Sequence, residues 1–552
     1  MSAQSSPIRF FNSRRGRVIR ENLTAYMFVT PAMILVFTFG VFPVAFAFFV
    51  SLHRWRRFPG EYLGLDNYVR GLGDFAYVVF FWLAIGAAVY GIALLLKLLK
   101  QPDKLRALIY LIPGAASAAA ALLFVNWAAI LLPVILNIPQ TLRGQDREQG
   151  LFLSELAASF QTPEATAAGT PFLIALIAAF VLGWIVLRLV RGSKPGAFWF
   201  WSMSACLAGA AGVLLMLLTV SEINTAVEAA RAAGETLPIW SQVIVISAGA
   251  LMLGAGYWLW TRAARGHSGN RAFVIKMLIA VLLAASGVIL ITELPRALTL
   301  ADDDVLNGFN ITVMFVLGTV PFQLGIGLFL AVLLFQKIKG KTLFRVVYFL
   351  PYIMPFVATS IVFSQLFSHR PDALINDVIN MFGVPDQKWL LEPLGVGTLI
   401  LGQNAGILSG PSLALVVIMI YTVWTYIGYD TVVFLAGLGN IPGELYEAAR
   451  IDGADSWALF RHVTLPLLSP TTFFLSLIAI IGTFQAFTQI WIMRSPASAN
   501  SVDTIGVYIF ETARANDPSM GYASALSFVL FGAILIFTLV QNRIQGRRVF
   551  YG

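Results

Sequence analysis

Pro442-Gly443-Glu444-Leu445-Tyr446-Glu447-Ala448-Ala449-Arg450-Ile451-Asp452-Gly453-Ala454 is a polar island between two long apolar runs, 412–436 and 470–491. Glu444, Glu447, Asp452 and Asp455 place carboxylates in and just after a segment of helix-forming residues. Pro442 suits a helix start, and acidic residues in the first turn complement the helix dipole. Gly453 has a backbone that tolerates positive φ, so the chain can turn there. A second short segment, Trp457 to Val463, leads to Leu465-Pro466, where proline interrupts helix hydrogen bonding. The expected product is a short helix–turn–helix between two membrane helices. Composition alone leaves it either a solvated connector or a docking element for a partner in the water.

Away from the island the chain is dominated by apolar residues, 58% of 552, with only 12% charged. Runs of about 20 apolar residues recur, each long enough to cross a hydrocarbon layer of about 30 Å as a helix. The fold class predicted is all-α, a polytopic transmembrane helical protein of about 12 spans. Helices are expected at 24–52, 76–98, 107–136, 171–191, 198–220, 239–262, 272–293, 309–336, 343–368, 412–436, 470–491 and 519–541. Residues 1–23 are basic (Arg9, Arg14, Arg15, Arg17, Arg20), and the apolar run that follows is longer than a signal-peptide core. That run is read as a retained first helix with its N-terminus in the cytoplasm. Loops 97–106, 188–196, 262–271, 337–345 and 437–469 and the tail (Arg543, Arg547, Arg548) then lie inside. Together with residues 1–23 they hold about twice the Lys and Arg of the outer loops, as the positive-inside rule expects. The net charge of +9 is thus explained by topology, and no nucleic-acid partner is expected. Arg54, Arg56 and Arg57 run against the pattern and suit lipid headgroups or a partner.

Several chemistries lack their residues. Cys206 is the only cysteine, so no intrachain disulfide exists, and His53, His267, His369 and His462 are too scattered for a metal site. Gly340-Lys341-Thr342 lacks the upstream glycine of a phosphate loop, since position 335 is Phe. No catalytic residue, metal ligand or cofactor is expected. Leu105-Arg106…Tyr110…Pro113 and Leu343-Phe344-Arg345…Tyr348…Pro351 echo one another, either as a duplication or as ordinary basic flanks. Thr422, Thr425, Tyr426 and Tyr429 follow i, i+3, i+4, i+7 spacing and share a helical face. Hydroxyls and rings together suit a sugar, and the next helix adds Thr483, Gln485, Phe487 and Gln489; packing between helices is the plainer alternative. Asp430, a carboxylate late in a span, marks either a pathway or the inner interface.

The island resembles the cytoplasmic EAA motif of ATP-binding-cassette (ABC) importer permeases through Glu447-Ala448-Ala449, Gly453 and Leu465-Pro466. Its fuller form, Pro442 to Ala454, resembles the carbohydrate-uptake, maltose-type branch. Tyr62-Leu63-Gly64-Leu65-Asp66-Asn67-Tyr68, Phe344-Arg345…Leu350-Pro351, Trp389-Leu390 and Gly521-Tyr522-Ala523-Ser524-Ala525 also fall in that family's order. The resemblance implies a type I ABC importer permease core, with a first core helix and outer segment at 24–75. Residues 301–552 would hold the main core, including the coupling loop 441–466, and 76–300 an unusual set of inserted transmembrane helices. It further implies a multi-pass protein of a bacterial or archaeal-type cytoplasmic membrane with both termini inside. The implied partners are a second homologous permease, two ATPase subunits that consume the ATP, an extracytoplasmic solute-binding protein, membrane lipid and a carbohydrate substrate. Glu444, Glu447, Ala448, Ala449, Asp452, Gly453, Leu465 and Pro466 would couple to the ATPases. A secondary active transporter, or a permease for a sugar derivative such as glycerol phosphate, is the competing expectation.

Overall fold

The computed structural model describes residues 14–143, 150–190, 195–263, 270–336, 339–402 and 406–546. Arg9, His267, Arg547 and Arg548, named above, lie outside them, as do Arg191, Lys194 and Lys337 of the basic loops. Among the described residues the regular structure is helical, apart from two isolated bridges. Among the described residues ten helices are long and apolar enough to cross a membrane, or up to twelve if each of two bent pairs is one span. The expected all-α polytopic architecture is therefore present.

The chain divides into two compact units. The first takes in the chain up to Asn67, Phe80–Glu228 and Ser519–Ala525. Helix α1 (Arg14–Val36) continues through a π-turn at Phe37–Val41 into a helix ending at Ser51. Asn67 closes that end, its Nδ2 donating to the carbonyls of Ser51 at 2.8 Å and His53 at 3.1 Å. Arg54, one of the three arginines that run against the charge pattern, pairs with Glu61 at 3.0 Å with both side chains exposed, a contact of small energetic weight. Helices α2 (Phe75–Leu99), α3 (Leu111–Thr141), α4 (Pro163–Leu189) and α5 (Pro195–Ala232) follow. α3 packs along α4, and Trp199 Nε1 of α5 donates to Ser117 Oγ of α3 at 3.0 Å. Leu98, Tyr110, Val186 and Phe198 form a buried cluster. Leu173, Ile174, Ile177, Phe180 and Val181 are exposed, as suits a lipid-facing helix surface.

The second unit takes in Tyr68–Val79, Ala229–Pro518 and the chain from Leu526. Here α6 (Ile239–Ala263) packs on α7 (Asn270–Ala297), and α8 (Asp303–Phe335) packs on α11 (Leu413–Gly439). Phe315, Leu415, Ile418 and Tyr421 are buried in one cluster, and Ala331, Leu334, Phe434 and Leu438 in another. Between α8 and α11 the chain forms α9 (Lys341–Ile353) and α10 (Phe356–Leu366). α9 crosses α11 at Gly428, where a Cβ would lie 1.9 Å from the Tyr348 carbonyl oxygen. The close approach therefore requires glycine. Tyr421 reaches α10, its hydroxyl 2.7 Å from Thr359 Oγ1.

Two expected straight spans are broken. The span expected at 343–368 turns by 97° between α9 and α10. Proline at 355 lacks an N–H and pushes Met354 into an extended conformation (φ −67°, ψ 147°). The span expected at 470–491 is instead α13 (Ser469–Phe484), a gap at 485–487, and short α14 (Thr488–Met493). Thr483 donates back to the Ala479 carbonyl at 2.7 Å just before the gap, a bond that competes with regular helix geometry. The two segments of the sequence echo also differ, one leading into the long α3 and the other into the bent α9–α10 pair.

Gly428→Val is expected to destabilise the purified protein by about 1–3 kcal/mol or more, as overpacking against backbone does. Gly439→Ala, where nothing lies within 4 Å of the added carbon, is expected to leave the thermal unfolding midpoint near that of the unaltered protein.

Candidate functional site

The polar island folds as α12 (Gly443–Ile451), a turn at Gly453 with φ +83°, and a second helical segment, Ser456–Leu467. Asp455 caps that segment, its carboxylate accepting from Ala458 N at 2.7 Å. The Tyr446 hydroxyl lies 3.1 Å from Thr464 Oγ1 and ties the two helical pieces together. Pro466 does not end the segment as its sequence suggests. A π-turn at Phe460–Thr464 precedes it, Leu465 N–H bonds to the Phe460 carbonyl, and the 63° bend into α13 falls at Leu468. The wider turn accommodates a proline that can neither donate nor sit against a regular preceding turn. Glu444, Glu447, Ala448, Asp452, Gly453, Leu465 and Pro466 are exposed, and Ala449 is half-buried. Ile451 is 86% and Trp457 65% exposed beside them, a sizeable apolar surface flanking acidic side chains.

The helices entering and leaving this loop, α11 and α13, line a cleft of about 380 Å³ in the second unit. Thr422, Tyr426 and Tyr429 of α11 contribute to it, with Thr483, Gln485, Phe487 and Gln489 on the opposite side. Thr425 does not. It is 1% exposed, and its hydroxyl donates to the Tyr421 carbonyl at 2.9 Å. At about 100° per residue, Thr425 sits at one edge of the expected arc and Asp430 beyond the other. The cleft face is rotated toward Asp430, which lines it.

The sequence reading missed the contribution of three other helices to the lining: Gln323 of α8, Tyr352 of α9 and Phe356 of α10. Tyr352 stacks on Tyr429 with ring centroids 4.9 Å apart and meets Tyr426 edge-on at 5.8 Å. The approach of α9 at Gly428, one turn before Pro351-Tyr352, puts that ring in place. Gln323 was detectable as an isolated amide within an apolar helix; Tyr352 had no local signal. The Thr422 and Thr483 hydroxyls donate to carbonyls one turn back, at 2.8 and 2.7 Å, leaving their oxygens able to accept. No group of three or more metal-ligating side chains occurs among the described residues.

An aromatic ladder runs away from the cleft, with Phe487 stacked on Trp491 at 5.7 Å and Trp491 edge-on to Phe510 at 4.9 Å. Arg494 lies 4.2 Å over the Trp491 ring, donates to Asp503 at 2.8 Å and pairs with Glu511. Burial pushes the Asp503 carboxyl up to about 6, against the opposing pull of Arg494.

These features match a known family. The pattern of the binding-protein-dependent transport system inner membrane component covers residues 323–550, which hold the cleft and the loop. The lactose transport system permease protein LacF of Rhizobium radiobacter is 33% identical over 233 residues, 42% of this chain and 72% of that protein. The chain belongs to this family of ABC importer permeases. Members are transport components rather than enzymes. The arabinooligosaccharides permease AraP of Bacillus subtilis is 29% identical over 43% of this chain and 70% of its own length. For the trehalose/maltose permease MalF of Thermococcus litoralis the figures are 27%, 42% and 72%. A solved bacterial alginate ABC transporter, with an alginate-bound periplasmic protein, aligns over 46% of this chain and 81% of its own at 19% identity and a TM-score of 0.39. The carbohydrate-permease resemblance read from the motif strings is borne out by the family match and by the LacF and MalF relatives.

Two outcomes follow for this permease. Gly482 lines the cleft with nothing within 4 Å of an added carbon, so Gly482→Leu is expected to keep thermal stability while lowering solute uptake at least tenfold. Because folding raises the Asp503 pKa from the usual carboxylate range to about 6, the protonated form favours the fold. Its stabilising contribution is present below about pH 4 and lost as pH rises through 6. Asp503→Asn is expected to flatten that part of the stability–pH curve in thermal unfolding.

Proposed function

We propose that this chain is the carbohydrate-conducting permease subunit of an ATP-driven importer of the maltose or oligosaccharide type. The observation that carries the proposal is the placement of the exposed Glu444–Pro466 loop between α11 and α13, the two helices that wall the cleft. Substrate would meet rings from Tyr352, Tyr426 and Tyr429 and hydrogen-bonding groups from Thr422, Thr483, Gln485 and Gln489. This mixture suits a sugar's apolar C–H faces and hydroxyl edges. The relatives named for lactose, arabinooligosaccharides and trehalose/maltose support that substrate class.

In this reading α12 seats in a cleft of a separate ATPase subunit, with Ala448, Ala449 and Gly453 permitting close approach and Ile451 and Trp457 adding apolar contact. A second permease completes the pathway and a second ATPase completes the motor. An external solute-binding protein delivers the sugar, and ATP is consumed by the partners alone. The protein lies in the cytoplasmic membrane with both termini inside. Residues 301–552 carry pathway and coupling, while 76–300 are inserted membrane helices.

Glu447→Lys and Gly453→Leu are expected to insert normally but to lose ATPase co-purification and ATP-dependent sugar uptake by at least tenfold. Wild-type ATPase association and uptake in both variants would refute the coupling role.

A further inference from the structure

We infer that Asp430 is a specificity-determining residue of the cleft, selecting hydrogen-bond-donating carbohydrates without negative charge and rejecting uronates and sugar phosphates. The inference rests on the carbohydrate reading above and assigns the charge class of the substrate. Asp430 is 2% exposed and lines the cleft, yet its Oδ2 has no hydrogen-bond partner among the described residues. Gln323, also 2% exposed and lining the cleft, has an equally unpartnered Oε1. Buried polar atoms without partners are costly, and a carboxylate more so than an amide. Two such groups facing one cavity await donors from whatever enters it.

Geometry keeps the carboxylate at the wall. A Cβ on Gly327 of α8 would come within 2.8 Å of Asp430 Cβ, so the two helices are in near-contact there and the side chain is confined. Gln323 lies one helical turn before Gly327 and shares its face. Among the described residues the cleft lining contains no Lys, Arg or His. A substrate hydroxyl therefore donates to Asp430 without competition from a protein cation, and a substrate ammonium would pair with it and with the nearby ring faces. A substrate carboxylate or phosphate could share the site only if Asp430 took up a proton, and its own charge would be desolvated with no cation in the lining to offset it.

The position also separates this residue from Thr422 along α11. Asp430 follows Thr422 by eight residues, about 12 Å along the helix at 1.5 Å per residue. It thus reads a different part of the sugar from Thr422, toward the coupling loop.

The test uses the complete importer in lipid nanodiscs and equilibrium binding of radiolabelled lactose, maltose and trehalose. The tightest binder is then compared with its derivative carrying a C6 carboxylate. Wild type is expected to bind the acid at least tenfold more weakly than the neutral sugar. Asp430→Asn should weaken the neutral sugar several-fold and bring the two sugars within about threefold of each other, while Asp430→Glu should preserve the discrimination. Gln323→Glu, a near-isosteric change that leaves Asp430 in place, should deepen rejection of the acid by a further tenfold. An unchanged acid-to-neutral ratio in Asp430→Asn, or in Gln323→Glu should Asp430→Asn fail to assemble, overturns the inference. Failure of the wild-type importer to bind any of the neutral sugars overturns the carbohydrate reading on which it stands.

Discussion

The cleft depends on one close crossing, the passage of the Tyr348 carbonyl over Gly428. No side chain fits between α9 and α11 at that point. Once the helices are that close, Tyr352 falls onto Tyr429, and the chain must turn at Met354-Pro355 to continue. The turn brings α10 within side-chain reach of α11, where the Tyr421 hydroxyl meets Thr359. Two walls of the cleft thus follow from a glycine in one helix and a proline in a neighbouring segment, 73 residues earlier in the chain. Packing between small residues is the expected device in a membrane, where lipid tails compete with apolar side chains and close backbone contact provides the attraction.

The exposed loop at 443–467 is connected to the same walls. α11 carries Thr422, Tyr426, Tyr429 and Asp430 and runs directly into α12; the segment after Gly453 runs through its π-turn into α13, which carries Thr483. Under the proposed function a force on the loop is transmitted to both sides of the cleft through short connections. The Tyr446–Thr464 contact would make the two helical pieces of the loop move together. The apolar surface at Ile451 and Trp457 would be covered by the ATPase.

What the sequence disclosed follows from the range of the forces involved. Membrane helices were legible because burial in lipid demands long apolar runs, and the loop because its charges interrupt them. Gly453 announced its turn, since the φ of +83° is a local demand. The two broken spans were less legible. Hydropathy does not register a bend, and although Pro355 was visible, the 97° angle depends on what α9 and α10 pack against. Thr425 was misplaced for a related reason. A helical face is an arc, and only the neighbouring helices decide which part of it opens onto the cleft. Tyr352 joined the site through tertiary contacts alone, whereas Gln323 carried a local signal as an isolated amide in an apolar helix.

The central claim is that this chain conducts sugar by coupling to ATPases through the Glu444–Pro466 loop. The most direct measurement is accumulation of a radiolabelled neutral disaccharide in proteoliposomes holding the assembled importer and its solute-binding protein, with and without ATP on the ATPase side. The account predicts accumulation that requires ATP and persists when ion gradients are dissipated. Accumulation without the ATPases that collapses with the proton gradient would contradict it.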